Sequence, residues 1–172
     1  MSQLRVLNTS LFLFVIFLIQ ETIISRVNFP INGFSLYLAA LMVLLALEDR
    51  TGSLVFGFIG GVIMDFSVAA DTPFGQWALV MTIMGYLFSI NKESIGDFTE
   101  TPILFIGFIS FASGFCLLFF ALIGTLLGEE MGGLIRNFGL IFANTLWTFL
   151  ITPIFLPLII RMRKVMLTSR EK

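Results

Sequence analysis

Apolar and polar positions alternate along this chain in long blocks rather than residue by residue. Nearly charge-free apolar runs cover about residues 4–24, 31–47, 51–70, 72–90, 102–127 and 135–160. A helix crosses the ~30 Å hydrocarbon core with about 20 residues, and about 17 is the practical minimum. In lipid only helices and closed barrels satisfy their own backbone. A barrel strand alternates in and out, whereas these runs are continuously apolar, so the pattern predicts helices. The expectation is an all-α membrane protein: one compact domain over residues 1–172, a bundle of six transmembrane helices. Glu48-Asp49-Arg50 alone joins the second and third runs, which predicts a tight helical hairpin. Pro73 and Gly75 supply the turn between the third and fourth. The hydrophilic stretch Asn91–Thr101 and the basic tail 161–172 are too short to fold alone. The first run resembles a signal peptide, but Gln20-Glu21-Thr22 follows it without a small-x-small cleavage site, so an uncleaved first helix is expected.

Charge placement adds an orientation. Arg5, Arg50, Lys92, Arg161, Arg163, Lys164, Arg170 and Lys172 fall on one side of a six-span arrangement, and only Arg26 and Arg136 on the other. The positive-inside rule then puts both termini in the cytoplasm, in a multi-pass protein of the cell membrane.

Composition agrees with lipid as the solvent. The chain has 172 residues, 58% hydrophobic and 12% charged, with a mean hydropathy of +1.01. Soluble domains carry about 25% charged residues. A net charge of −1 implies no nucleic-acid partner. There is no His, which removes the commonest general base and metal ligand. Cys116 lies among Leu and Phe, where a thiol is inert. No nucleophile–base pair or phosphate loop is present, so no catalytic residue, metal or cofactor is expected. Glu129-Glu130 and the set Glu93, Asp97 and Glu100 suggest solvated loops over metal binding.

One helix face carries the sharpest pattern. Ser53, Gly57, Gly61 and Asp65 recur every fourth residue and so share a stripe. Gly60 lies beside it. Small residues at this spacing admit a neighbouring helix closely. Asp65 would lie ~21 Å from the inner end of its helix, in the outer leaflet. Two readings stand: internal packing, with Asp65 hydrogen-bonded to the following turn, or a groove for a partner or ligand; a salt bridge to Arg26 or Arg136, or a charged ligand, would make the charge of Asp65 matter more than packing. Thr72 is a candidate N-cap, Pro73 fits a first helical turn, and Trp77 is a candidate interfacial anchor. Gly107, Ser110 and Gly114, then Gly124 and Gly128, extend the small-residue spacing in the fifth run. Pro153 and Pro157 predict bends in the sixth, with Asn144, Thr148 and Thr152 available to the carbonyls so freed.

The segments Gly57-Phe58-Ile59-Gly60-Gly61-Val62-Ile63-Met64-Asp65-Phe66, Asp71-Thr72-Pro73-Phe74-Gly75-Gln76-Trp77-Ala78-Leu79-Val80 and Gly85-Tyr86-Leu87 resemble the rod shape-determining MreD family. Trp77 before Ala78-Leu79 is similar to its actinobacterial branch. Thr152-Pro153 through Pro157 to Arg161 is similar to the way these proteins end. Phe34-Ser35-Leu36 departs from the Pro–acidic or Pro–amide entry of many relatives. The resemblance implies a non-enzymatic scaffold of the cell-elongation and peptidoglycan machinery. Its expected partner is an MreC-like bitopic protein and, through it, MreB, RodA and a class B penicillin-binding protein. It also implies a fold similar to the substrate-binding subunits of energy-coupling-factor transporters, which supplies the alternative of a small-solute, vitamin-type binding subunit. Ser53, Gly57, Gly60, Gly61, Asp65, Pro73, Gly75 and Trp77 are the positions expected to serve packing or partner binding. Few polar groups are available in the outer half (Gln20, Glu21, Asp65, Gln76, Asn137 and Asn144), which favours the scaffold.

Overall fold

The computed structural model describes residues 3–26, 34–67, 73–99, 101–129 and 134–166, and every regular element among them is a helix. The order is α1 (Gln3–Thr22), a single 3-10 turn (Ile24–Arg26), α2 (Leu36–Leu47), α3 (Arg50–Asp65), α4 (Gln76–Ile90), α5 (Lys92–Thr99), α6 (Pro102–Leu126) and α7 (Leu134–Met166). Three stretches are long and apolar enough to cross a membrane: Gln3–Arg26, Pro102–Leu126 and Asn137–Arg163.

The other apolar helices are shorter than their runs, because capping residues stop them first. α2 starts after Ser35, whose hydroxyl accepts from the Leu38 N–H at 3.2 Å. α3 ends at Asp65 rather than near residue 70, and α4 begins at Gln76 rather than 72. Gly75 precedes α4 at φ 97°, a left-handed conformation that a Cβ would strain. Pro73 therefore sits before the helix, its carbonyl accepting from the Gln76 N–H at 3.1 Å, and not in the first helical turn. Thr72 and Asp71 lie outside the described residues. The stretch after Asn91, expected as a loop, forms the amphipathic helix α5, with Ile95 buried and Phe98 stacked on Phe108 of α6. At the far end of α6, Gly128 (φ 85°) terminates the helix, with the Glu129 N–H bonded to the Gly124 carbonyl at 3.0 Å. Gly128 thus ends the helix, while Gly124 within it is buried. Gly107 faces open space.

α2 is the axis of the bundle. Ten of its twelve residues are buried, and it touches α1, α3, α4, α6 and α7. A helix that is apolar all round belongs in such a position. The Tyr37 hydroxyl donates to the Gly60 carbonyl at 2.9 Å, and Phe17 of α1 meets the Tyr37 ring edge-on. α1, α2, α3, α4, α6 and α7 run between two ends of the bundle. One end gathers Arg5, Glu48, Asp49, Lys92 and Arg163 (the charged end). The other gathers Gln20, Asp65 and the N-termini of α2 and α4 (the capped end). In α7 both prolines lie inside a continuous helix. The hydroxyl of Thr152 goes to the Thr148 carbonyl and that of Thr148 to the Asn144 side chain. The carbonyls that Pro153 and Pro157 leave free, four residues upstream, are therefore not the ones these threonines reach.

Candidate functional site

The stripe on α3 is the seam against α4, the most extensive helix pair of the bundle. A Cβ on Gly57 would stand 2.6 Å from the Met81 carbonyl oxygen, and one on Gly61 would stand 2.5 Å from that of Trp77 and 2.6 Å from the Ala78 Cα. The neighbour reciprocates, since a Cβ on Gly85 would collide with the Ser53 carbonyl. These are backbone atoms with nowhere to rotate. Close approach of two backbones is thus what the glycines provide, in a setting where lipid solvates side chains as well as protein does. Ser53 is fully buried and donates to the Leu45 carbonyl at 2.8 Å, tying the start of α3 to the end of α2. Gly60 faces elsewhere: a Cβ there meets the Leu41 side chain of α2 at 2.7 Å.

Asp65 closes the seam. Its Oδ1 accepts from the Trp77 N–H at 3.0 Å and its Oδ2 from the Ala78 N–H at 3.1 Å. The first N–H groups of any helix lack intrahelical partners, and Gly75 has no side chain to cap α4. A carboxylate on the preceding helix fills that role, helped by the positive end of the α4 dipole. Among the described residues no ion pair joins Asp65 to Arg26. The side chains of Arg136, Asp97 and Lys164 lie outside what the structure describes, as do Glu100, Glu130, Arg170 and Lys172. Trp77 is a packing residue here: its ring stacks on Phe120 of α6 at 3.9 Å between centroids. Gln76 Nε2 donates to the Phe120 carbonyl at 3.0 Å, while Gln76 Oε1 and Ser113 Oγ are buried without a hydrogen-bond partner among the described residues.

No protein-family model, curated protein or solved structure matches the chain.

Two clusters escape the sequence pattern. At the charged end Glu48, 2% exposed, binds Arg5 of α1 on one oxygen, and its other oxygen accepts from Arg163 Nε of α7 at 3.2 Å. Asp49 also pairs with Arg5, at 3.2 Å, and caps α3 through the Gly52 N–H at 3.1 Å. Lys92 Nζ donates to the carbonyls of Leu45 (2.9 Å) and Ala46 (2.7 Å), capping the C-terminus of α2 with a cation. Burial pushes the Lys92 ammonium down to about 8, against the pull of Glu48. Glu93, considered above for metal binding, pairs with Arg50 at 3.0 Å on the surface. At the capped end Gln20 Oε1 of α1 accepts from the Leu36 N–H of α2 at 2.8 Å. Glu21 accepts from the Ser67 hydroxyl at 2.7 Å. One signal for the first cluster is in the sequence: a carboxylate in the short turn between two apolar runs, as Glu48 is, requires a counter-charge once buried.

Proposed function

We propose that this chain is a non-enzymatic, multi-pass scaffold of the bacterial cell-elongation machinery, of the MreD kind, binding an MreC-like bitopic partner. Through that partner it would meet MreB, RodA and a class B penicillin-binding protein. In this reading α1, α2, α3, α4, α6 and α7 each cross the membrane, and the charged end and both termini face the cytoplasm, as its basic residues favour. α2, α3 and α4, at roughly 18, 24 and 22 Å, are shorter than the hydrocarbon core. They are tolerated because neighbouring helices satisfy their exposed backbone groups.

The observation that carries the reading is the engagement of Asp65. It is the carboxylate on which a catalytic or ligand-binding role would rest, and both its oxygens hold the backbone of α4. A group so committed orients helices, which supports a structural role for it. The α3–α4 seam is then the rigid platform against which a partner is presented. Co-purification from native membranes tests this. A bitopic cell-wall protein retained with the chain supports the scaffold. A retained vitamin-sized solute together with an energising ATPase overturns it. Reporter fusions at Lys172 and near Asp71 test the topology, which an external signal at Lys172 would contradict.

A further inference from the structure

Between the first turns of α6 and the last turns of α7 lies a groove of about 530 Å³, within the ~300–1,000 Å³ of ordinary ligand pockets. Pro102 and Ile106 line one wall, and Pro153, Pro157 and Ile160 the other. Arg161 stands at its rim, exposed, with no carboxylate in ion-pair range among the described residues. Arg163, two residues on, turns the opposite way to Glu48. From Pro153 to Arg161 the groove runs ~12 Å along α7, close to the depth of one leaflet's hydrocarbon. It is apolar along this length and cationic at the end where Arg161 stands.

We propose that this groove holds an anionic phospholipid, its acyl chain against the prolines and Ile106 and its phosphate on Arg161. The occupant follows from charge complementarity. A guanidinium with no ion-pair partner among the described residues offers planar, two-pronged donors that match a phosphate. A purely apolar partner helix would leave that charge unanswered. Pro102 opens α6 beside the same rim, so the positive end of a 25-residue helix adds to the attraction. Two prolines four apart on α7 keep the wall shallow, since neither carries a long side chain. The inference rests on the membrane location of α6 and α7 and not on the identity of any protein partner, so it stands or falls separately from the scaffold reading.

The test uses the full chain in mild detergent, with dioleoyl-phosphatidylglycerol and dioleoyl-phosphatidylcholine added in turn and retained lipid counted by native mass spectrometry. The expected result is a preference for phosphatidylglycerol of about fivefold, the scale of one basic side chain near an anionic surface. Arg161→Gln should abolish the preference, Arg161→Lys should keep most of it, and Ile160→Trp should lower occupancy by both lipids. Equal retention of the two lipids, or an unchanged preference in Arg161→Gln, overturns the proposal. So does displacement of phosphatidylglycerol by millimolar inorganic phosphate alone, which would assign the site to a free anion. Cross-linking of Ile160→Cys to a polypeptide in native membranes would assign the groove to a protein helix and equally overturn it.

Discussion

The two ends of the bundle solve one problem with different chemistry. At the charged end, side chains of α1, α5 and α7 converge on the α2–α3 turn as ions: Arg5 and Arg163 on Glu48, and Lys92 on the last carbonyls of α2. At the capped end, no cation among the described residues is engaged by the groups that hold the helices together. Gln20 reaches the N-terminus of α2 and Asp65 that of α4. For α2 and α4 the difference follows the helix dipole: the C-terminus of α2 at the charged end presents carbonyls to Lys92, and the N-termini of α2 and α4 at the capped end present N–H groups to Gln20 and Asp65. α2 shows the consequence best. It has twelve residues, and a different helix caps each of its ends. Short helices are workable in lipid only when their termini are answered in this way.

The charged end should be the more fragile. Glu48→Leu takes from buried Arg5, and from Arg163, the carboxylate they share, and a broken buried pair costs about 3–5 kcal/mol. Thermal unfolding in detergent should register this as the largest single loss. Adding Arg5→Met should recover most of it, because an apolar pair replaces a buried ion pair with little penalty. No recovery would mean that the ions specify the packing rather than merely compensate each other.

The seam between the ends comes next. Gly57→Leu or Gly61→Leu drives a side chain into the α4 backbone and should lose ~1–3 kcal/mol or more, the usual scale of overpacking. Gly60→Ala meets only the Leu41 side chain and should lose less, and Gly107→Ala meets nothing and should lose none. Equal effects at Gly61 and Gly107 would show that the stripe faces lipid.

At the capped end the effects shrink to those of single caps. Asp65→Ala removes acceptors from two N–H groups and should lose ~1–2 kcal/mol. Asp65→Asn keeps one acceptor and should fall between Ala and the native residue. An Asn variant as damaged as Ala would point to charge as the essential property. A further effect is a pH dependence. Folding lowers the Lys92 pKa from 10.5 to about 8. Between these values the unfolded chain holds a proton that the folded chain has released, so stability from this group rises with pH. Below about 8 the contribution is flat and the burial penalty fully present. Melting temperatures between pH 7 and 10 should carry this upward slope, and Lys92→Met should remove it while losing the two carbonyl bonds at every pH. A native slope that falls over that window would mean the ammonium's charge stabilises the folded state.

How much of this was legible in the sequence depended on distance along the chain. α1, α6 and α7 could be read from length and apolarity alone, and the α3 stripe from its four-residue spacing. The contact of Asp65 with the following turn spans only twelve residues, so it was among the readings available. The charged cluster was not, because it joins positions 43 to 115 apart and its cations read equally well as topology signals. α5 was hidden for another reason: with only Ile95 and Phe98 apolar in its charged stretch, it gains helical structure from packing on α6, which composition does not reveal. The boundaries of α2, α3 and α4 differ from those of the apolar runs because apolarity continues past them, while Ser35 and Gly75 mark where α2 and α4 begin.

Amide hydrogen exchange at Trp77 and Ala78 tests most directly the claim that side chains of one helix hold the terminus of another. In the native chain both amides should be protected despite standing at a helix N-terminus. In Asp65→Ala their exchange should rise at least about tenfold, the factor that a cap of roughly 1.4 kcal/mol implies, while amides in the middle of α3 and α4 keep their protection. Unchanged exchange at Trp77 and Ala78 in that variant, or fast exchange of both in the native chain, would contradict the account.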